Sequence, residues 1–158
     1  MSDLDVRIVK LEPVRVASFH GFGESPEGEA WNKLVAWAKP KGLLHDPQHH
    51  PIYGFNNPNP SPGSPNYGYE FWITVGPEVQ PAGKMEIKDF AGGLYAVTWC
   101  AVQGRPYETI PATWKKLVLW RENSKYKLAN HQWLEEHLRE KDAPEGDFNL
   151  NLYLPIAE

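Results

Sequence analysis

The sequence predicts an α+β domain made of two similar halves, each of which runs strand, helix, strand, strand. The main observation is an internal sequence repeat: residues 14–38 and residues 93–121 both have the pattern of an apolar strand, a glycine-bearing loop and a helix. The first helix carries Trp31-x-x-Leu34-Val35-x-Trp37, and the second carries Trp114-x-x-Leu117-Val118-x-Trp120. Self-similarity of this kind reports on the whole fold and not on one element.

A second pair of segments extends the internal repeat, because residues 69–75 (YEFWITV) are similar to residues 150–156 (LNLYLPI). Two copies are too few for a solenoid. We therefore expect one domain over 1–158 with pseudo-two-fold symmetry and pseudo-repeats at about 1–79 and 80–158. The seam between the repeats is the natural place for a ligand.

The first half begins with two short strands and a helix. Residues 6–11 and 14–19 alternate apolar and polar side chains, which predicts strands around the turn at residues 12–13. Ser25 followed by Pro26 predicts a helix start, with serine as the N-cap and proline at the first helical position.

The rest of the first half is a long loop and a strong strand. Pro40 and Gly42 are expected to end the helix. Proline and glycine recur throughout residues 45–68, so this stretch is expected to be mostly loop with a short strand at 51–55. Residues 69–75 are predicted to be a strand, and residues 76–83 link the two halves.

The second half repeats the order. Strands are expected at 85–90 and 93–99, around the turn Ala91-Gly92. A helix with Thr109 as its N-cap is expected to end near Glu122. Residues 131–138 fit either a helix or a strand by periodicity, and the position in the repeat favours a strand. A turn-rich loop at 141–147 and a strand at 148–156 complete the chain.

Composition narrows the class of protein. The chain has 158 residues and a formal net charge of −4, and its basic residues are not clustered, which argues against nucleic-acid binding. The single cysteine, Cys100, excludes an internal disulfide. Because no long apolar stretch and no signal peptide is visible, we expect a cytoplasmic protein that does not enter membranes.

The strand faces place acids beside aromatics. Alternation puts Glu70 with Trp72 on one face of its strand, Asn151 with Tyr153 on one face of another, and Trp133 with Glu135 and His137 on one face of a third. A partly buried carboxylate is costly unless it is satisfied, and an aromatic cation can satisfy it while stacking on the rings. The competing interpretation is a half-solvated sheet with no binding role.

A set of short motifs resembles one known family over nearly the whole chain, and the family's order of motifs is kept. These are Leu11-Glu12-Pro13-x-Arg15-Val16-Ala17, Ala30-Trp31, Gly54-Phe55-Asn56-Asn57-Pro58, Tyr67-Gly68-Tyr69-Glu70-Phe71-Trp72-Ile73, Gly92-Gly93-x-Tyr95-Ala96-Val97, Trp133-Leu134-Glu135 and Leu152-Tyr153-Leu154-Pro155-Ile156. The chain resembles the GyrI-like (gyrase-inhibitor-like) effector-binding domain, which is also found behind the DNA-binding part of AraC-type and MerR-type bacterial regulators.

The resemblance implies a fold and a ligand class. It implies two strand–helix–strand–strand units with antiparallel sheets, helices on one side and a central cleft that binds hydrophobic, aromatic, cationic compounds of the multidrug type. The position that matches the family's cleft glutamate is Glu135, with Glu136 beside it as the alternative if the register is shifted by one residue. The expected ligand-binding residues are Glu135, Glu70, Trp72, Trp133, Tyr153, Tyr53, Trp99, His137 and Asn151.

Two other functions stay open. Some stand-alone relatives hydrolyse cyclopropane-containing toxins, which would make Glu135 a general base and Tyr153 or Tyr53 a proton donor. Gyrase inhibitors instead bind a macromolecule, so the domain could be a protein-interaction module. No helix-turn-helix precedes the matching region, so the chain is expected to be a stand-alone form without a DNA-binding domain, and the sequence does not decide whether it is an enzyme.

Three rival sites are weaker. Six histidines (His20, His45, His49, His50, His131 and His137) suggest a metal, but structural zinc sites usually include several cysteines. Cys100 shows no base nearby in sequence and is expected to be a buried thiol. Gly21-x-Gly23 lacks the rest of a phosphate-binding motif. We expect no metal and no cofactor.

Overall fold

The computed structural model describes residues 4–45, 49–81, 83, 85–138 and 147–158, and the chain divides into two compact units. We call Val14–Phe90 the continuous unit, and Met1–Pro13 together with Ala91–Glu158 the split unit. The elements are β1 (Val6–Leu11), β2 (Val14–Gly23), α1 (Pro26–Ala38), β3 (Ile52–Asn56), β4 (Tyr67–Thr74), β5 (Glu86–Phe90), β6 (Gly93–Gln103), α2 (Pro106–Glu122), β7 (Lys127–Leu128), β8 (Leu134–Leu138) and β9 (Asp147–Ala157).

The continuous unit is an antiparallel sheet in the order β3-β4-β2-β5, with α1 packed against β2 and β4. Its core lies between the helix and one face of the sheet. Ala30 and Leu34 of α1 are fully buried there against Phe71 and Ile73 of β4. Burying a side chain of this size stabilises the fold by about 1.5–3 kcal/mol, so this contact fixes which sheet face carries the helix.

The split unit is also antiparallel, in the order β1-β6-β9-β8, and β7 pairs with β9. Leu150, Leu152 and Leu154 of β9 are fully buried in a cluster with Leu117 of α2. The predicted apolar faces of 69–75 and 148–156 therefore do pack on the two helices. The α+β class and the antiparallel sheets are confirmed.

Both helices begin with a proline at the first helical position, where its missing N–H costs no hydrogen bond. Ser25 occupies the N-cap of α1 as predicted, although its side chain makes no capping hydrogen bond. The prediction that Thr109 caps α2 is wrong, because the helix starts at Pro106 after Arg105. Thr109 lies in the first turn, and its N–H donates to the Arg105 carbonyl at 2.9 Å.

Each sheet takes its edge strand from the other sequence repeat. β1 pairs with β6 in the split unit, and β5 pairs with β2 in the continuous unit. The division at about 79/80 between the pseudo-repeats therefore differs from the boundaries of the structural units, which fall at 13/14 and 90/91. A two-residue hairpin favours positive φ at both central residues, and Pro13 cannot adopt a positive φ. Residues 12–13 therefore connect β1 to β2 without pairing the two strands, and β1 pairs with β6.

The remaining predicted strands are all present, including β8 at the segment that periodicity left undecided. β6 extends past the predicted 93–99 to Gln103, and the two-residue strand β7 was not predicted. The loop expected at 141–147 lies almost wholly outside the described residues. No helix in the described part of the chain is long and apolar enough to cross a membrane.

Candidate functional site

The two sheets each have one face without a helix, which we call the helix-free face of that unit. In the continuous unit this face carries Glu70 and Trp72 of β4, because the alternating residues Tyr69, Phe71 and Ile73 face α1. Residues opposite each other in an antiparallel pair share a face, so Ser18 and Tyr53, the partners of Trp72, lie on it too. Three predicted site residues, Glu70, Trp72 and Tyr53, are thus brought together.

Glu70 is 2% exposed and accepts four hydrogen bonds. Its Oε2 accepts from Ser18 Oγ at 2.6 Å, from Trp72 Nε1 at 2.6 Å and from Lys88 Nζ at 2.8 Å. Its Oε1 accepts from Asn57 Nδ2 at 3.0 Å. A buried carboxylate persists only when it is paired and hydrogen-bonded in this way.

The protonation state of Glu70 follows from these contacts. Burial is the largest single effect and by itself raises the pKa of Glu70. The donors on Lys88, Ser18, Trp72 and Asn57 together outweigh burial, so the pKa of Glu70 lies below its ordinary value. Glu70 is therefore a carboxylate whose charge is already balanced by Lys88, so its attraction for a ligand cation is weak.

Trp72 is held as a fixed aromatic surface. Its indole N–H is tied to Glu70, its ring meets Phe55 edge-on at 4.8 Å between centroids, and Phe90 lies 5.2 Å away. Trp72, Phe55 and Tyr53 are each 7% exposed. The face of the continuous unit thus offers rigid apolar packing, with its polar groups satisfied internally.

The helix-free face of the split unit carries a second acid. Register pairs Glu136 with Asn151 and Leu134 with Tyr153, so all four side chains share one side of the sheet. Glu136 Oε1 accepts from Tyr153 Oη at 2.9 Å and from Asn151 Nδ2 at 3.1 Å. Glu136 is half-buried and makes no ion pair with any residue that the structure describes.

Glu135 lies on the other face of the same strand, beside the helix. It is paired with Leu152, whose side chain packs on α2, and its Oε2 accepts from Trp114 Nε1 at 3.0 Å. The expectation that Glu135 joins Asn151 and Tyr153 is therefore wrong, and Glu136 takes that position. The pairing of Leu134 with Tyr153 and of Glu136 with Asn151 decides between the two adjacent glutamates.

The other two residues expected with Glu135 are also on the helix side. The Trp133 ring lies 5.3 Å from the Trp114 ring, and Trp133 is 37% exposed. His137 is paired with Leu150, and its ring stacks on Phe148 at 6.5 Å between centroids. The helix side of β8 thus carries a cluster of Glu135, Trp114 and Trp133.

Trp99 lies on the helix-free face opposite Asn151, and it is 58% exposed. Arg7 of β1 lies on the same face, because it pairs with Val97 and Val97 pairs with Tyr153. Its Nη2 donates to Asn151 Oδ1 at 3.1 Å. Sequence reasoning missed Arg7, since residues 6–11 alternate without indicating which sheet receives them.

The rival sites resolve simply. His20, His50 and His131 each hydrogen-bond a backbone carbonyl through one ring nitrogen, which must then be the protonated one. Among the described residues no group of three or more His, Cys, Asp or Glu could hold a metal ion. Cys100 is 2% exposed, and burial raises its pKa, so it is the buried thiol that was predicted.

Solved structures with the same fold come from several functional settings. The C-terminal domain of EcmrR is 12% identical with a TM-score of 0.68, and the alignment covers 99% of both chains. The chain spans 57% of the EcmrR chain seen in a complex with DNA, where the TM-score is 0.69 and the identity 12% over 96% of this chain.

Two further neighbours differ in what they do. A hydrolase from Listeria innocua aligns with a TM-score of 0.63 at 10% identity, over 96% of this chain and 91% of the hydrolase. SAV2435 bound to tetraphenylphosphonium aligns with a TM-score of 0.56 at 13% identity, over 98% of this chain and 94% of that protein. At such identities these likenesses show the fold alone.

No curated protein matches the chain by sequence comparison. The GyrI-like small molecule binding domain model, in contrast, matches residues 4–157. This span includes both units and both helix-free faces. The chain therefore belongs to the GyrI-like family of small-molecule binding domains.

Proposed function

We propose that the protein binds aromatic small molecules that carry a positive charge, on the helix-free face of the split unit, with Glu136 as the charge partner. The observation that carries this proposal is that, among the described residues, Glu136 accepts hydrogen bonds only from the neutral donors of Tyr153 and Asn151. A carboxylate without a cationic partner attracts a cation, most strongly where it is partly removed from water.

The comparison with Glu70 supports the choice of Glu136. Glu70 is buried, and Lys88 lies 2.8 Å from it. A ligand cation at Glu70 would have to displace that ammonium and break several hydrogen bonds. A ligand cation at Glu136 would not have to displace an ammonium group, so the carboxylate in the split unit is the better partner for a ligand.

An exposed aromatic ring lies on the same face as the acid, with Asn151 between the two residues. Trp99 is the residue opposite Asn151, and 58% of its surface is exposed. Stacking on an aromatic face adds about 0.5–2 kcal/mol for a cation. The neighbour SAV2435, in a structure bound to the aromatic cation tetraphenylphosphonium, is consistent with this ligand class.

The test is a titration of tetraphenylphosphonium and its neutral analogue triphenylphosphine oxide by isothermal calorimetry. We expect Glu136→Gln to weaken binding of the cation about fivefold to thirtyfold, which corresponds to about 1–2 kcal/mol, and to leave the neutral compound unchanged. Glu135→Gln is the matched control, because it removes the same charge from the adjacent residue on the opposite face. Loss of cation binding in Glu135→Gln alone would move the site to the helix side.

A second function is favoured by one contact. Tyr153 donates its hydroxyl hydrogen to Glu136 at 2.9 Å, which pairs a general base with a proton donor. We propose as the alternative that Glu136 removes a proton from water while the water oxygen attacks a ring carbon of a strained electrophile. The ring C–C bond breaks, and its electron pair moves onto the conjugated carbonyl, which takes a proton from Tyr153.

The name of the Listeria innocua neighbour, a hydrolase, suits this alternative without establishing it. Mass spectrometry of a cyclopropane-fused dienone incubated with the protein would detect addition of one water. Turnover by the wild type that Tyr153→Phe slows and Glu136→Gln abolishes would favour the hydrolase. Binding of the dienone without any product would leave the protein a binding module.

A further inference from the structure

Arg7 brings a positive charge to the same face as Glu136. The side chains of Arg7, Val97 and Tyr153 lie in one row across β1, β6 and β9, because each is paired with the next. Arg7 is exposed and makes no ion pair within the part of the chain that the structure describes. Its guanidinium donates one hydrogen bond to Asn151 and keeps its other N–H groups for water or a ligand.

Asn151 holds the two charges apart while orienting both. Its Oδ1 accepts from Arg7 at 3.1 Å, and its Nδ2 donates to Glu136 at 3.1 Å. Both amide atoms are bonded to one carbon, so a single amide group bridges the guanidinium and the carboxylate through one hydrogen bond on each side. They do not neutralise each other by direct contact, and each still faces solvent on a surface that also carries Trp99.

A ligand that carries only a positive charge can pair with Glu136 but leaves Arg7 without a partner from the ligand. It gains attraction from Glu136 and meets repulsion from Arg7 a short distance away. A ligand that also carries an acidic group satisfies both side chains, since a guanidinium binds carboxylates through two parallel N–H bonds. The repulsion between Arg7 and a plain cation is as important for selectivity as the attraction between Arg7 and the acidic group of the second kind of ligand.

We propose that the preferred ligand of this face is an aromatic zwitterion, with its cationic nitrogen at Glu136, its acidic group at Arg7 and its ring on Trp99. This inference rests on the proposed function, because it uses the same face and the same acid. It adds a residue, Arg7, that selects among aromatic cations, and it assigns Asn151 the role of a positioning residue.

The experiment compares rhodamine B, whose cationic ring system bears a free carboxylate, with rhodamine B methyl ester, in which that carboxylate is blocked. Binding of each dye to the whole protein is followed by fluorescence polarisation. We expect the acid to bind about twofold to fivefold more tightly than the ester, as one exposed charge pair allows. Arg7→Gln keeps an N–H donor for Asn151 and should abolish the preference, mainly by weakening the acid.

Two controls separate charge from structure. Arg7→Lys keeps the charge but not the planar fork, and should retain part of the preference. Arg105→Gln removes a positive charge whose side chain is 77% exposed before α2, and should leave both affinities unchanged. Equal loss of preference in Arg105→Gln would show that net charge, and not Arg7, selects the acid, and would overturn the inference.

The inference and the proposed function fail in different ways. If both dyes bind equally and Glu136→Gln weakens both, the cation site stands and the zwitterion inference is overturned. If the acid keeps its preference in Arg7→Gln, the inference is overturned as well. If neither dye binds to the wild type, both proposals fall together.

Discussion

Replacing Glu70 with glutamine should destabilise the protein by about 2–4 kcal/mol. The amide nitrogen of glutamine is a donor, so at the position of Oε2 it would face the Trp72 and Lys88 donors, neither of which can accept. At the position of Oε1 it would face the Asn57 amide, and the remaining oxygen would have lost its charge. With the amide nitrogen at the Oε1 position, the Asn57 amide can flip to present its oxygen, and the loss is that of the charge facing Lys88 and Trp72. With the nitrogen at the Oε2 position, only the Ser18 hydroxyl can turn to accept.

The magnitude follows from these contacts. A hydrogen bond to a charged group contributes about 1.5–3 kcal/mol, and breaking a buried ion pair costs about 3–5 kcal/mol. The Lys88 side chain is 39% exposed, so its ammonium recovers water when the pair is lost, which lowers the cost. For a chain of this size about 2–4 kcal/mol corresponds to a Tm lowered by about 5–15 °C.

Urea unfolding followed by tryptophan fluorescence measures this change, and its dependence on pH tests the cause. The pKa of Glu70 in the folded protein lies below its unfolded value, so its stabilising contribution is complete at neutral pH and is lost as the pH falls through the folded pKa. The difference between wild type and Glu70→Gln should therefore shrink on acidification. A variant as stable as the wild type, or a difference that grows in acid, would refute the reasoning.

Glu29→Gln is the matched control, since Glu29 and Lys33 form an exposed ion pair in the same unit. Such surface pairs contribute little. Its Tm should be indistinguishable from that of the wild type. An equal loss of stability in both variants would mean that net charge, and not the buried network around Glu70, is responsible.

Two further predictions concern packing and backbone. Leu117→Ala should cost about 2–5 kcal/mol in urea unfolding, because Leu117 is fully buried, whereas Leu119→Ala on the same helix should stay within about 0.5 kcal/mol because Leu119 is 57% exposed. Gly92→Ala should lower Tm clearly more than Gly63→Ala, since both glycines have positive φ but only at Gly92 would a Cβ meet a backbone oxygen, that of Leu11, at 2.1 Å. Equal Tm values for the two glycine variants would contradict the steric part of this argument.

The elements could be predicted because local patterns specify them. The apolar alternation of 69–75 and the proline after Ser25 required no knowledge of distant residues, and β4 and α1 appear as expected. Thr109 was expected at the start of α2 because threonine is a good N-cap residue. The parallel with Pro26 in the first repeat was the better guide.

Strand partners and side-chain faces could not be predicted in the same way. In β8 one face carries Leu134, Glu136 and Leu138 and the other carries Glu135 and His137, so each face has an acid and neither is wholly apolar. The pairing of Leu134 with Tyr153 places Leu134 and Glu136 on the helix-free face, and Glu135 and His137 on the helix side. A one-residue change of register exchanges Glu135 and Glu136 completely, and only long-range pairing determines it.

The edge strands β1 and β5 have a consequence for synthesis and for dissection of the chain. Every strand of the continuous unit lies within Val14–Phe90, so its sheet can be complete as soon as that segment has left the ribosome. β1 is synthesised first, but it cannot pair until its partner β6 has been synthesised. A truncation between the sequence repeats would remove β5 from β2 and leave β1 without its partner, whereas residues 14–90 keep all four strands of the continuous unit with its helix.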